Sequence, residues 1–398
     1  MRRVNNAIWK ILLLSVLSIA LALFIQACTC ASKSDNETDD DINDDTDDDS
    51  DDDTNDDSDD DNTSGWHIYT IDDGEYAGRF SSIAVDLNNK VCISYEGGDS
   101  YLMYATNKTK AWQIFTVDST GMSGWYTSIA IDSKDKVHIS HYDRSKYKIK
   151  YSTNKSGAWQ MFTIQDKTPD TGFNSIALDS NDKVHIAYDY CAHYNEEGCY
   201  IGELRYSTNK SGSWQVYTIG ELLGNLSMTL DSNDRVHISY VAGHEVWYVT
   251  NQSGSWQKSR VSSKASSMER GYVSIATDSN DKVHISFLGA NSGIRNLMYV
   301  TNVSSSWEEF TIDSNPDTGK FNSIAIDSND KVHISYWDSA NEDLKYATNK
   351  SGTWEIFTIE SEGNVGSYSS IAIDSDNYAH ISYSSSEGLK YATNRPAE

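Results

Sequence analysis

The sequence predicts an all-β fold: a seven-bladed β-propeller of four-stranded antiparallel blades, closed by the N-terminal strand completing the last blade. Three observations carry this expectation. One unit recurs seven times from residue 66 onward, and its cleanest copy runs from Asn322 to Ile359. A tryptophan marks each copy, at Trp66, Trp112, Trp159, Trp214, Trp256, Trp307 and Trp354, a spacing near the roughly 40 to 50 residues of propeller repeats. Finally, the repeats start with a lone fourth strand, Trp66–Ile71, and finish with three strands at Ser370–Ile373, His380–Tyr383 and Leu389–Thr393. The first strand can therefore join the last three and leave no terminal sheet face uncovered.

Within the cleanest copy, Ser323–Ile326 and Val332–Tyr336 are alternating or β-branched runs joined by Asp-Ser-Asn-Asp-Lys, which is turn chemistry. Leu344–Thr348 and Trp354–Ile359 repeat the pattern across Asn-Lys-Ser-Gly, where Gly352 can take a positive φ. These four strands are called A to D. A meander this short has apolar side chains on both faces and needs a neighbour on each side. The 25 tyrosines, the scarcity of proline (3 residues) and the lack of helical periodicity beyond the leader agree with an all-β chain. The repeats fill residues 66 to 398 without a break, so a single large domain is expected despite the length.

Ahead of the repeats, Arg2, Arg3 and Lys10 precede an uncharged run from Ile11 to Ile25 and then Gln26-Ala27-Cys28. Positive charge, a short apolar core and a small residue before a processing point make an export signal, over residues 1–27. The run is shorter than the roughly 20 residues of a bilayer-spanning helix. Ile25-Gln26-Ala27-Cys28 resembles a bacterial lipobox, which implies lipidation at Cys28 and a cell-envelope or cell-surface location; plain secretion is the alternative. Residues 28–62 form an Asp-rich tether: Asp35–Asn62 holds 18 of the 59 acidic residues and no base, so it repels itself and stays extended. A flexible chain of that length reaches on the order of 30 Å. Calcium is the one cofactor this composition raises, but no Gly-punctuated loop fixes a coordination sphere.

The formal charge of the chain is −27. Setting aside residues 1–62, with their 18 acids and four bases, leaves 41 acids and 28 bases, a net of −13 for the propeller at 63–398. A domain this acidic lacks the footprint of a nucleic-acid binder. A monomer is expected, touching membrane through its lipid anchor alone. Cys191 and Cys199 sit in an insertion in the third blade and are expected to form a disulfide, closing a loop worth roughly 2 to 3 kcal/mol. Cys92 stands where other copies have histidine and is read as a buried free thiol; Cys30, beside Cys28, has no evident partner.

Comparing the copies separates two faces. The A–B and C–D turns barely change, whereas the D–A and B–C connections differ in length and chemistry, and in a propeller the two sets lie on opposite faces. A unique site belongs on the individual face. The repeated His138, His185, His237, His284, His333 and His380 are read as structural, held by hydrogen bonds between sheets; metal ligands would have to converge within about 2 Å of one ion. The repeated Asp86, Asp132, Asp179, Asp231, Asp278, Asp327 and Asp374 are read as turn stabilisers. Strand-C tyrosines and strand-D tryptophans are read as packing between blades. One more aromatic precedes strand A at Phe80, Tyr126, Phe173, Tyr272, Phe321 and Tyr368, with Asn225 as the exception; these sit where the individual face meets the channel and could form a stacking platform for sugars.

The individual face also carries Glu96, Asp99, Trp125, Asp143, Arg144, His193, Tyr194, Glu196, His244, Glu245, Arg270, Arg295, Trp337 and Asp338. Of these, Trp125, Arg144, His193, Tyr194, His244, Arg270, Arg295, Trp337 and Asp338 are the ligand-binding candidates, because aromatics beside carboxylates or guanidiniums are common material of carbohydrate and peptide sites. No catalytic residue and no metal site is assigned. The chain contains no GxSxG, HExxH, Walker or dinucleotide motif. The sequons at Asn107, Asn154, Asn209, Asn251, Asn302 and Asn349 coincide with C–D turns and read as turn chemistry.

The IAIDSNDKVHISY and LKYATNKSGTW elements resemble exported bacterial propeller repeats grouped with the sialidase-like, or BNR, propellers, over residues 66–398. Asn349-Lys-Ser-Gly-Thr-Trp354 looks like a degenerate Asp-box, with Asn349 where the box has Asp and the glycine displaced by one place. Sialidases use an arginine triad, a tyrosine nucleophile and an acidic partner; nothing identifies Arg144, Arg270 and Arg295 as that triad, and seven blades depart from that family's six. The expectation is a lipid-tethered propeller that binds a glycan or protein through its individual face without catalysis. The alternatives are a sialidase-like glycan hydrolase or lyase, and a surface adhesin or spacer.

Overall fold

The computed structural model describes residues 65–398 except 167, 169–171, 196, 197, 223, 267–270, 292 and 398. The leader, Cys28, Cys30, the tether and Arg270 lie outside the described residues. Among those described, the strands form seven four-stranded antiparallel sheets, each in the order A-B-C-D. Blade 6 is typical: Thr318–Ile326, Val332–Asp338, Asp343–Thr348 and Glu355–Glu360. The seam is as expected. His67–Asp72 pairs with Gly388–Thr393 and so completes the sheet of Val365–Ile373 and Ala379–Ser385. The third blade departs most from the others: its strands Val184–Asn195 and Gly198–Thr208 form a long hairpin arm, and a disulfide joins Cys191 to Cys199 within it.

The hydrophobic core is split into seven clusters that lie between neighbouring blades. Trp66, for example, packs with Leu344 and Tyr346 of blade 6 and with Ile371 and Ile381 of blade 7. In every blade the strand-D tryptophan meets the strand-C tyrosine of the preceding blade edge-on, as Trp112 does with Tyr391 at 5.2 Å and Trp159 with Tyr104 at 5.6 Å. Nearer the axis, one strand-A serine per blade accepts a backbone N–H from the next blade. Ile129 donates to Ser82 Oγ, Ile176 to Ser128, Met228 to Ser175, Ile275 to Ser227, Ile324 to Ser274, Ile371 to Ser323 and Ile83 to Ser370, which closes the circle. Serine suits this position because its side chain is short enough for seven inner strands to converge and still carries an acceptor for an otherwise unpaired N–H.

The repeated polar residues hold individual blades together. Asp132 Oδ1 accepts the backbone N–H groups of Lys134 and Lys136, closing the A–B turn, and its other oxygen faces His138 Nε2 at 3.3 Å. The His138 Nδ1 atom meets Tyr151 Oη at 2.6 Å. All three residues belong to blade 2, and the same Asp–His–Tyr relay recurs in blade 4 and blade 7. The histidines are thus held within their own sheet and not between sheets: strand B lies next to strand C, and Tyr is long enough to reach the neighbouring strand's imidazole. In blade 1 the buried Cys92 thiol takes the histidine's place beside Tyr104, and Lys108 approaches Asp86 at 3.3 Å. Burial pushes the Cys92 pKa up. Among the described residues, no group of three or more His, Cys, Asp or Glu side chains is placed to hold a metal ion.

Candidate functional site: an aromatic collar at the channel mouth

A cavity of about 480 Å³ opens where the N-terminal ends of the A strands converge. Its wall includes Phe80, Tyr126, Phe173, Tyr272, Phe321 and Tyr368, with Asn225 in the seventh place. Five ring contacts join the six aromatics into an open collar. Phe173 meets Tyr126 at 4.4 Å, Tyr126 meets Phe80 at 4.6 Å, Phe80 meets Tyr368 at 4.7 Å, Tyr368 meets Phe321 at 4.4 Å and Phe321 meets Tyr272 at 4.6 Å. Asn225 stands in the gap between Phe173 and Tyr272, and Trp125 adds a further ring against Phe80 at 5.0 Å. Among the described residues, no charged side chain lines the cavity.

The collar comes in two halves, set by one residue of sequence. Blades 3, 4 and 5 read Gly172-Phe173, Gly224-Asn225 and Gly271-Tyr272, whereas blades 6, 7, 1 and 2 insert a residue: Gly319-Lys320-Phe321, Gly366-Ser367-Tyr368, Gly78-Arg79-Phe80 and Gly124-Trp125-Tyr126. The extra residue makes a β-bulge. Lys320 pairs with Trp337 and Ser323 with Ser335, three steps against two, and the other three blades shift likewise. The collar residue of each bulged blade is left-handed, with φ of 49° at Phe321, 54° at Tyr368, 51° at Phe80 and 49° at Tyr126. Bulky side chains seldom adopt this conformation, and where they do the surroundings must fix it. Part of that constraint is the preceding glycine: a Cβ on Gly319 would lie 2.8 Å from Leu297 Cα.

A second constraint is a polar latch. The residue after each bulged collar aromatic, or after Phe173, donates to the collar carbonyl of the preceding blade. Ser81 Oγ donates to Tyr368 O at 2.9 Å, Thr127 Oγ1 to Phe80 O at 2.8 Å, Asn174 Nδ2 to Tyr126 O at 2.8 Å and Ser369 Oγ to Phe321 O at 2.8 Å. The latch also meets a strand-B serine of the preceding blade, as Thr127 does Ser94 at 2.8 Å and Asn322 does Ser286 at 2.7 Å. Blades 4 and 5 carry Leu226 and Val273 there instead. Ala187 faces the first of these positions, but Ser239 faces the second and its buried hydroxyl has no hydrogen-bond partner among the described residues.

The sequence-predicted candidates are dispersed. Trp125 lines the cavity, and Arg144 lies over its ring at 4.3 Å. Trp337 stands behind Phe321 at 5.9 Å with Lys320 Nζ 5.6 Å from its centroid. Asp338 is buried, caps the Ala340 and Asn341 backbone N–H groups and faces Lys345 at 3.6 Å. Arg295 is engaged by Asp317, His244 Nδ1 lies 3.3 Å from the Ala265 carbonyl, and His193 and Tyr194 lie on the hairpin arm. Arg144 thus engages Trp125 of its own blade, whereas Arg295 engages Asp317 of the next blade. Sequence reading also passed over the bulge residues Arg79 and Lys320, whose signal was the inserted residue after the glycine. Beside Trp125, Glu96 is 2% exposed. Burial raises its carboxyl pKa, opposed by Ser100, Arg79, Trp125 and Arg144.

No family model and no curated protein matches the chain. Solved structures similar to it include virginiamycin B lyase from Staphylococcus aureus in an inactive form with quinupristin, at 14% identity and a TM-score of 0.56, covering 82% of this chain and 99% of that one. A polysaccharide lyase, an ulvan lyase bound to a sulfated disaccharide repeat, aligns at 11% identity and a TM-score of 0.55, over 81% and 94% of the two chains. The NanB sialidase of Streptococcus pneumoniae aligns at 14% identity and a TM-score of 0.47, over 82% and 70%. At such identities the likeness is one of fold, that of the β-propeller.

Proposed function

We propose that this propeller binds an uncharged glycan unit in the collared channel mouth, without catalysis, while an anchor at Cys28 holds it to the cell envelope. The observation that carries the reading is the collar itself: six aromatics and Trp125 surround a cavity whose other walls are hydroxyls, amides and aliphatic groups. Aromatic faces take the C–H face of a sugar ring, and hydroxyl and amide groups read its hydroxyls. An acidic sugar would meet no cation among the described residues of the lining, at a cost in desolvation. The likeness in fold to the ulvan lyase supports the view that such a scaffold suits glycans.

The second reading, a glycan hydrolase or lyase, is favoured by one observation: Glu96, a buried carboxyl of raised pKa, neighbours two arginines and the cavity wall at Trp125. A glycan array of neutral and acidic oligosaccharides, probed with the full-length chain beside a screen for released sugar, tests both. Retention of neutral glycans without turnover is expected. A blank array with sugar released would overturn the binding reading.

A further inference from the structure

The face of invariant turns holds a second kind of pocket. Between blades 6 and 7 a cleft of about 380 Å³ is lined by Trp66, Tyr346, Thr348, Lys350, Glu355 and Phe357 among others. Between blades 3 and 4 a cleft of about 320 Å³ is lined by Trp256, Tyr206, Thr208, Lys210, Gln215 and Tyr217. In the repeat these residues are position-for-position equivalents, so two clefts on different sides of the ring are copies of one site. The same residue types recur where blade 1 meets blade 2, through Lys108, Gln113 and Phe115, and where blade 2 meets blade 3, through Lys155, Gln160 and Phe162. The junctions after blades 4, 5 and 7 depart, with Gln252 and Ser259 in the first, Val303 in the second, and Arg395 and His67 in the third.

We propose that these four full clefts are equivalent binding sites for the apolar face of a neutral pyranose, making the propeller multivalent on the face opposite its collar. Phe357 and Tyr217 present one ring face outward, 41% and 43% exposed, with a strand-C tyrosine beside them at 6.1 and 5.9 Å. Phe115 and Phe162 are exposed to the same degree. Ser259 occupies this strand-D position in blade 4, so the blade forms without an aromatic there and the exposed ring is not required by the fold. Four large exposed apolar side chains repeated on one rim are the kind of surface that marks a ligand site.

The polar groups set the class. At this strand-D position the four clefts carry Gln113, Gln160, Gln215 and Glu355, so what they share is a carbonyl-type acceptor and not a charge. The turn lysine adds a donor whose charge is partly met within the protein, as Lys210 Nζ lies 3.9 Å from Asp179 Oδ2. An aromatic shelf, an acceptor, an ammonium and a threonine hydroxyl suit a hydroxyl-rich, uncharged ring. Each cleft can be weak, because simultaneous engagement of linked sites raises avidity by about 10² to 10⁴.

The test uses the full-length chain with albumin carrying many copies of glucose, galactose, mannose or N-acetylglucosamine, and in parallel the corresponding methyl glycosides. Binding of at least one polyvalent probe is expected, with more than one methyl glycoside bound per chain and a change in tryptophan fluorescence, since Trp66 and Trp256 border clefts. The fourfold variant Phe115→Ser, Phe162→Ser, Tyr217→Ser, Phe357→Ser borrows the serine that blade 4 already uses; it should weaken polyvalent binding at least about a hundredfold. Val303→Ala, at a junction that is not one of the four and outside the collar, should leave this binding unchanged. If no probe binds, if stoichiometry does not exceed one, or if the folded fourfold variant keeps wild-type avidity, the proposal is overturned. Loss in Phe321→Ala alone would leave the collar reading standing and remove this one.

Discussion

Trp66 meets Tyr346 edge-on, with ring centroids 5.1 Å apart, so the first described strand is locked against blade 6 as well as paired within blade 7. Trp66 is 6% exposed and belongs to the same core cluster as Tyr383 and Ile381. Trp66→Ala should therefore cost about 3 to 5 kcal/mol, the range for large-to-small changes in a packed core. Denaturant titration checks this, and a loss below about 1 kcal/mol would show that the seam does not hold the ring.

The unlatched junction between blades 4 and 5 gives an opposite prediction. Val273→Thr supplies the hydroxyl that Thr127 carries in blade 2, at the position facing Ser239, whose hydroxyl has no partner among the described residues. It should raise stability by about 1 kcal/mol, because a buried polar group gains its missing partner. Val283→Thr, at a site packed in the apolar core, is the control and should destabilise. Thermal unfolding of both variants decides; destabilisation by Val273→Thr comparable to the control would contradict the latch.

Acid should weaken the fold in two stages. Burial depresses the pKa values of His138, His185, His237, His284, His333 and His380, only partly offset by their aspartates, and lowers His141 to about 4. The unfolded chain binds protons near pH 6.5 that the folded chain refuses, so this stability is fully present above that pH and is lost as pH falls toward the folded values. Burial pushes Asp132, Asp231 and Asp374 up, but hydrogen bonds outweigh it and hold them below the usual range. Their contribution is lost below about pH 3.8. Urea titrations at pH 7.5, 5.5 and 4.5 should show a monotonic fall. His141→Gln should make it shallower by up to about 1.4 kcal/mol per pH unit, where an unchanged slope would refute the assignment.

Much of this architecture was legible because a repeat reports each strand seven times over. The strand alternation of SIAID and VHISY and the lone strand at Trp66 sufficed for blade count and closure. The relay of Asp132, His138 and Tyr151 was half legible: the residues stood out, but which sheet they served depends on strand adjacency, which only the folded geometry supplies. The collar aromatics were visible, whereas its division was not read, since the insertions at Arg79, Trp125, Lys320 and Ser367 look like ordinary loop variation until register is known. Which partners Asp338 and Arg295 take, Lys345 within blade 6 for one and Asp317 across the blade 5–6 junction for the other, was not legible, because it depends on how the loops of neighbouring blades meet.

The central claim is that the collar receives an uncharged glycan, and the most direct test is calorimetric titration of the full-length chain with the neutral oligosaccharide best retained on an array. Phe321→Ala removes a ring that touches Tyr272, Tyr368 and Trp337. The predicted result is about tenfold or greater weakening for a variant that remains folded. Undiminished affinity in that variant would contradict the account.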